Sequence, residues 1–280
     1  MRIDQLLGLM VLALAIVFAA KLARDLVLKS RGLAVNRLVV QERSLGAAVS
    51  QAGYMVGVLL GFLGAISFAS LATSYLSLFG HVALFGLLAI ALQLAADQIS
   101  DRLIFRGLAT PEVKDDNVSH SVGKAAVSIA TGLVLRGAMA DPSAGVALCL
   151  AWFAVGQALM VVSVLFYCRL TPYDDLAEIK RNNLAAAFPI VGILLGLGLV
   201  IETAVMAKGD GTVLDTALRV GKFLGVSLVL VYVFRLAASR VLLPKAKLSS
   251  EIVERRSVGA GLQEGVAFLL VSLIVTFFLA

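Results

Sequence analysis

Charged residues are scarce in this 280-residue chain, at 15%, while 60% of its residues are hydrophobic and its mean hydropathy is +0.97. That balance excludes an ordinary soluble domain, in which about a quarter of residues are charged, and places the chain in a bilayer. The apolar/polar alternation over about ten residues that marks a membrane strand is missing too. The apolar runs are continuous, so helices rather than a barrel are expected.

Cysteine is nearly absent. The two present, Cys149 and Cys168, fall in one predicted helix 19 residues apart, which at about 1.5 Å per residue is almost its whole length. They can neither bridge within that helix nor supply a metal motif, and they read as small packing residues. Histidine is limited to His81 and His120. Facing histidines on two helices can hold haem, but these differ in predicted depth, and no cofactor or metal is expected. The chain contains no P-loop, HExxH or GxSxG, so no enzyme is expected. A basic face with stacking aromatics, which nucleic acid would need, is lacking as well.

What is present is a series of long apolar windows, at 3–28, 44–68, 72–96, 119–140, 143–168, 183–206, 214–238 and 257–279. Each exceeds the roughly 20 residues that cross a hydrocarbon core about 30 Å thick. Eight transmembrane helices are therefore expected. The first run ends in small residues like a cleaved secretion signal, yet its leading charge is weak and its apolar stretch long, so it is expected to be the first span.

Of the 24 Lys and Arg, 18 fall in the connections after helices one, three, five and seven. The bias of basic loops toward the cytoplasm then puts those long loops inside and both termini outside. The charge of +6 is thus mainly a topology signal, and the basic loops suit anionic lipid headgroups. The stretch 33–42 mixes apolar and charged residues as either a short interfacial helix or a solvated loop would.

The entries to the even-numbered helices resemble one another: SLGAAV from Ser44, SVGKAA from Ser121, NLAAAF from Asn183 and SVGAGL from Ser257. Neighbouring copies are 77, 62 and 74 residues apart, but copies two apart are separated by 139 and 136. The segment RGLA also recurs, at 31–34 and 106–109. A duplicated four-helix half holding two hairpins accounts for these spacings. The fold expected is all-α and polytopic, with four helical hairpins in two parallel repeat halves, 1–141 and 142–280.

Ser and Asn at these entries suit helix capping, since their side-chain oxygens accept from N–H groups that the first turn leaves unpaired. Small residues follow. Gly53, Gly57 and Gly61 form overlapping GxxxG steps and Gly192 and Gly196 another, the pattern of closely packed membrane helices.

At these residues the chain resembles the YjfL-type family of small bacterial inner-membrane proteins of unknown function. The segment EIKRNNLAAA at 178–187, followed by Gly192, is similar to that family's recurring acidic-Ile, Asn-x-Ala-x-Ala, Gly signature. EIVERRSVGA at 251–260 is a looser version, with Ser257 in place of the Asn. The first-half copies depart further. The resemblance implies a tandem of two four-helix units, no catalytic residues, and a setting beside envelope-stress membrane partners.

Candidate chemistry is sparse. Four helix N-termini at one depth, at Ser44, Ser121, Asn183 and Ser257, would either face an anion or simply be capped and packed. Glu264 lies seven residues past Ser257, Gln51 seven past Ser44, and Lys124 three past Ser121. These three are candidates for an ion path or a polar lock between helices, with Lys124 as partner of Glu264. Arg136, Glu202, Arg219 and Lys222 gather near the outer ends as snorkelling anchors or a vestibule. Asp97 with Asp101, and Asp174 with Asp175, read as helix ends or solvated linkers.

The function expected is that of a non-enzymatic inner-membrane component of envelope homeostasis, working as a homo-oligomer or with membrane partners in the lipid bilayer. The competing reading is a small-ion channel or transporter.

Overall fold

The computed structural model describes residues 3–71, 74–106, 116–141, 145–206, 212–241 and 247–279. Its long helices are α1 (Ile3–Ser30), α3 (Leu45–Ala65), α4 (Tyr75–Leu103), α5 (Val118–Ala138), α6 (Gly145–Leu170), α8 (Leu184–Met206), α9 (Val213–Val241) and α11 (Val258–Leu279). Three six-residue helices, α2 (Val35–Val40), α7 (Asp175–Lys180) and α10 (Leu248–Val253), precede α3, α8 and α11. No strand occurs among the described residues. The stretch 33–42 is thus mostly helix.

Among the described residues, seven of the long helices are apolar enough to cross a membrane. The eighth, α9, reaches spanning length at 29 residues but carries Asp215, Arg219 and Lys222 in its first ten. The expected eight helices are therefore present as helices, and seven of them as apolar spans. The largest boundary difference is in α4, which continues seven residues past the predicted Ala96 to Leu103.

Burial assigns the layers. The helices α5 and α8 are 83% and 72% buried over their most apolar windows, whereas α1 is only 17% buried. The most extensive contacts run α3 to α5, α5 to α8 and α8 to α11, so these four form a central row. On the first half of that row pack α1 and α4; α6 packs across its middle, on α5 and α8, and α9 packs on α8 and α11. The even-numbered spans of the sequence thus build the core, and the odd ones its flanks.

Small residues set the spacing in that row. A Cβ added at Gly53 would strike Ala125, one at Gly57 the Ser128 carbonyl, and one at Gly132 the Gly57 carbonyl. Gly61 is looser, 3.3 Å from the Ala89 Cβ by the same construction. In the second half, Gly192 meets the Gly265 backbone and Gly196 meets Ser272. Pro189 lies inside α8, so the Ala185 carbonyl four residues earlier loses its helical donor. That carbonyl is where Gly261 of α11 approaches most closely. The GxxxG steps therefore join helices of one chain, α3 to α5 and α8 to α11.

Candidate functional site

All four central helices start at the same end of the molecule, and each start has the same local build. The residue before each cap has positive φ: Arg43 (54°), Asp116 (48°), Asn182 (57°) and Arg256 (50°). The caps that follow are Ser44, Asn117, Asn183 and Ser257. They accept from Ala47 N at 3.0 Å, His120 N at 2.9 Å, Ala185 N at 3.2 Å and Ala260 N at 3.4 Å. The second cap is therefore Asn117 and not Ser121, which lies a full turn inside α5. With that correction, copies two apart are separated by 139 and 140 residues. The two halves then agree more closely than the uncorrected spacing allowed.

The corrected register explains why the segments at 178–187 and 251–260 resemble one another. Asn117 Nδ2 donates to the Ile179 carbonyl at 2.8 Å, and Asn183 Nδ2 donates to the Ile252 carbonyl at 2.9 Å. Glu178 is held from both sides, by Asn183 Nδ2 at 2.8 Å and by Arg181 Nη1 at 2.9 Å. Each cap asparagine thus fastens its helix to the short helix of the repeat that follows. The positive-φ residues do the converse. Asp116 accepts from Ser44 Oγ and from Gly46 N, both at 2.7 Å, and Asn182 Oδ1 accepts from Ser119 N at 3.1 Å.

An acidic side chain therefore already occupies the start of α3, where the helix dipole favours negative charge. Burial pushes the Asp116 carboxyl up, but hydrogen bonds from Ser44 and from the Gly46 and Leu45 N–H groups outweigh it and hold the group below the usual carboxylate range. The free anion-facing termini of the sequence reading are, at α3 and α5, filled by neighbouring repeats.

Seven residues past the caps lie Gln51, Lys124, Ile190 and Glu264. The three polar candidates thus occupy one repeat position, but the structure does not bring Lys124 to Glu264. Lys124, 4% exposed, contacts α4. Its Nζ is 3.0 Å from Asp97 Oδ1, pairs with Asp101 Oδ1, and donates to Ser100 Oγ at 3.0 Å. Asp97 and Asp101, one helical turn apart, are not solvated helix ends; the seven extra residues of α4 carry them onto α5.

Arg24 completes the cluster. Counted from sequence as a loop cation, it is buried within α1. It donates to the Ser50 carbonyl at 2.7 Å, to Ser50 Oγ at 2.6 Å and to Gln51 Oε1 at 3.3 Å. Its guanidinium stands 4.8 Å from the Tyr54 ring centre, and its Nε is 3.7 Å from Asp97 Oδ2. Arg31 adds a second cation 3.5 Å from Asp101 Oδ2. Four helices thus meet in one buried ionic cluster around a cavity of about 40 Å³. The sequence cue that was passed over is the four-residue spacing of Asp97 and Asp101, which puts both carboxylates on one helical face.

Glu264 is fully buried and accepts from Tyr167 Oη at 3.4 Å. It borders a separate pocket of about 270 Å³ lined by Tyr173, Lys247, Ser249 and Ile252. At the opposite end of the molecule, Arg136 Nε and buried Glu202 pair at 2.5 Å across α5 and α8, and Arg219 pairs with Asp215 at 3.0 Å; Lys222 is exposed. His81 sits near the start of α4 and His120 near the start of α5, at opposite ends, so they do not face one another. Asp174 caps α7 and Asp175 accepts from Thr171. No group of three metal-ligating side chains occurs among the described residues.

A family model described as Domain of Unknown Function (DUF350) matches residues 2–139 and again residues 143–279. The chain is 24% identical over 232 residues to a UPF0719 transmembrane protein of Aquifex aeolicus (strain VF5), covering 81% of this chain and 84% of that protein. It is 33% identical over 54 residues to the UPF0719 inner membrane protein YjfL of Escherichia coli (strain K12), covering 19% of this chain and 41% of YjfL. No solved structure matches.

Proposed function

The chain belongs to the DUF350 family in tandem, and from that premise we propose that it is a non-enzymatic inner-membrane component of envelope homeostasis. It works by assembling with itself or with other membrane proteins, with its long basic loops in the cytoplasm and both termini outside. A relative named as an inner membrane protein supports the location, and the loop charge bias supports the orientation.

One observation carries the reading: backbone lies against backbone at Gly57 with Gly132 and at Gly192 with Gly265, where a conduit between the hairpins would have to pass. The flanks favour it too. Leu7, Met10, Val11, Leu14, Phe18 and Leu22 of α1 are all exposed, an apolar flank that suits lipid or a neighbouring membrane helix. Reconstitution tests the proposal. Crosslinking and co-purification should yield a defined assembly, while liposomes carrying the protein should pass no more ions than empty ones.

The second reading, a small-ion channel or transporter, rests on the buried cluster at Lys124 and on Glu264 beside its pocket. Ion flux that disappears in Glu264→Gln would establish it in place of the first.

A further inference from the structure

The cavity of about 40 Å³ beside Lys124 is walled by side chains of α1, α3, α4 and α5. Its inner charges cancel. Arg24 and Lys124, each 4% exposed, face Asp97 and Asp101, while Arg31 stands in solvent at the edge. Arg24 Nε turns toward Asp97 Oδ2 at 3.7 Å, and Lys124 Nζ lies 3.0 Å from Asp97 Oδ1. An ion of either sign entering this space would unbalance it.

The hydrogen bonding, unlike the charge, is incomplete. Gln51 is 8% exposed, and its Oε1 accepts from Arg24 Nη1 at 3.3 Å, which fixes the orientation of the amide. Its Nε2 then has no hydrogen-bond partner among the described residues. Asp97 Oδ1 accepts no hydrogen bond there either, close as the Lys124 ammonium is. One spare donor and one spare acceptor therefore border the same small space. Leaving either without a partner is costly in so apolar a setting. A molecule that accepts from the first and donates to the second removes both losses.

We propose that this cavity holds bound water, one molecule of which bridges Gln51 Nε2 on α3 to Asp97 Oδ1 on α4. Water meets each requirement: it is uncharged, it accepts and donates at once, and it needs roughly 10–15 Å³ of such space, so about three molecules fit. The exposed Arg31 marks their way in. The helix that gains most is α1, only 17% buried over its apolar window, with Arg24 the charged one of its four buried residues. Arg24 grips Ser50 and Gln51, and the water carries that grip on to α4. In the second half Ile190 and Glu264 stand where Gln51 and Lys124 do, so this hydrated joint belongs to the first half. It does not rest on the assembly reading, and it requires no conduction.

The test is hydroxyl-radical labelling by millisecond X-ray exposure of the purified protein in detergent, read by mass spectrometry, because the radicals form from bound water itself. Leu33 and Leu38 make a matched pair, 4% and 6% exposed; Leu33 lines the cavity and Leu38 does not. Leu33 should label several-fold faster than Leu38. Gln51→Met, which removes the donor that anchors the bridge, should bring the two rates together. If that variant fails to fold, a structure of the parent at a resolution that shows ordered water decides the matter, and water density between Gln51 and Asp97 supports the site. Equal labelling of the two leucines in the parent, a Leu33 excess that survives Gln51→Met, an empty cavity, or an anomalous peak there in crystals grown in bromide overturns it.

Discussion

Replacing Asn117 by Ala probes both the repeat register and the coupling between repeats. The side chain makes two kinds of contact. Its Oδ1 accepts from His120 N at 2.9 Å, a cap whose loss costs about 1 kcal/mol. Its Nδ2 donates to the Ile179 carbonyl at 2.8 Å. That carbonyl keeps a second bond, from Asn182 N at 3.0 Å, so the loss is an ordinary hydrogen bond of about 1 kcal/mol and not an orphaned acceptor. The sum, about 2 kcal/mol, corresponds to a fall in Tm of about 4–8 °C for a chain of this size. Ser121→Ala, at a buried position, should cost at most about 1 kcal/mol, since it removes no cap. Cys149, 1% exposed, supplies the readout: in a Cys168→Ser background, heating in the presence of a fluorogenic maleimide reports when α6 comes away from the core. Equal effects of the two substitutions, or an Asn117→Ala protein that unfolds with the parent, would refute the register.

Three further outcomes are expected. Lys124→Met should destabilise by up to about 3 kcal/mol by removing the cation nearest to Asp97 and Asp101 and leaving only the longer contacts to Arg24 and Arg31, and adding Asp97→Asn and Asp101→Asn should recover much of that in the same unfolding assay. Gly192→Ala should cost about 1–3 kcal/mol, because the new methyl meets the Gly265 backbone; Gly259→Ala, with nothing within 4 Å, should be neutral or stabilising. The depressed Asp116 pKa makes its contribution complete above the ordinary carboxylate pKa of about 3.9 and lost as pH falls through the lower folded value. The Tm gap between parent and Asp116→Ala should therefore hold from neutral pH to about pH 4 and close below it.

Much of this architecture was legible in the chain. The apolar windows located all eight helices, and the small-residue steps marked faces on which central helices pack closely without naming their partners, because both signals are local and periodic. The register of the second repeat was not legible from the same signals. Ser121-Val122-Gly123 matches Ser257-Val258-Gly259 residue for residue and Ser44-Leu45-Gly46 at two of three positions, yet the cap depends on a positive-φ residue before it. The paired polar residues Asp116-Asn117 and Asn182-Asn183 were the cue that could have placed it.

The ionic cluster was hidden for a different reason. Charges close to a helix end look solvated in sequence, and only the true length of α4 and the inward face of α1 show that Asp97, Asp101 and Arg24 meet Lys124. Glu264 stood out in sequence as a carboxylate at membrane depth; it is fully buried, and its neighbours are Tyr167 and the pocket beside α10 rather than Lys124.

The cap contacts all point one way along the chain. Asn117 reaches forward to Ile179, Asn183 reaches forward to Ile252, and the α3 and α5 starts wait for Asp116 and Asn182. During synthesis, then, each of the first three hairpins enters the bilayer with the start of its second helix still unsecured, and only the arrival of its successor closes it. Maturation proceeds like a row of clasps fastened from behind, and a chain cut short anywhere leaves its last complete hairpin undone.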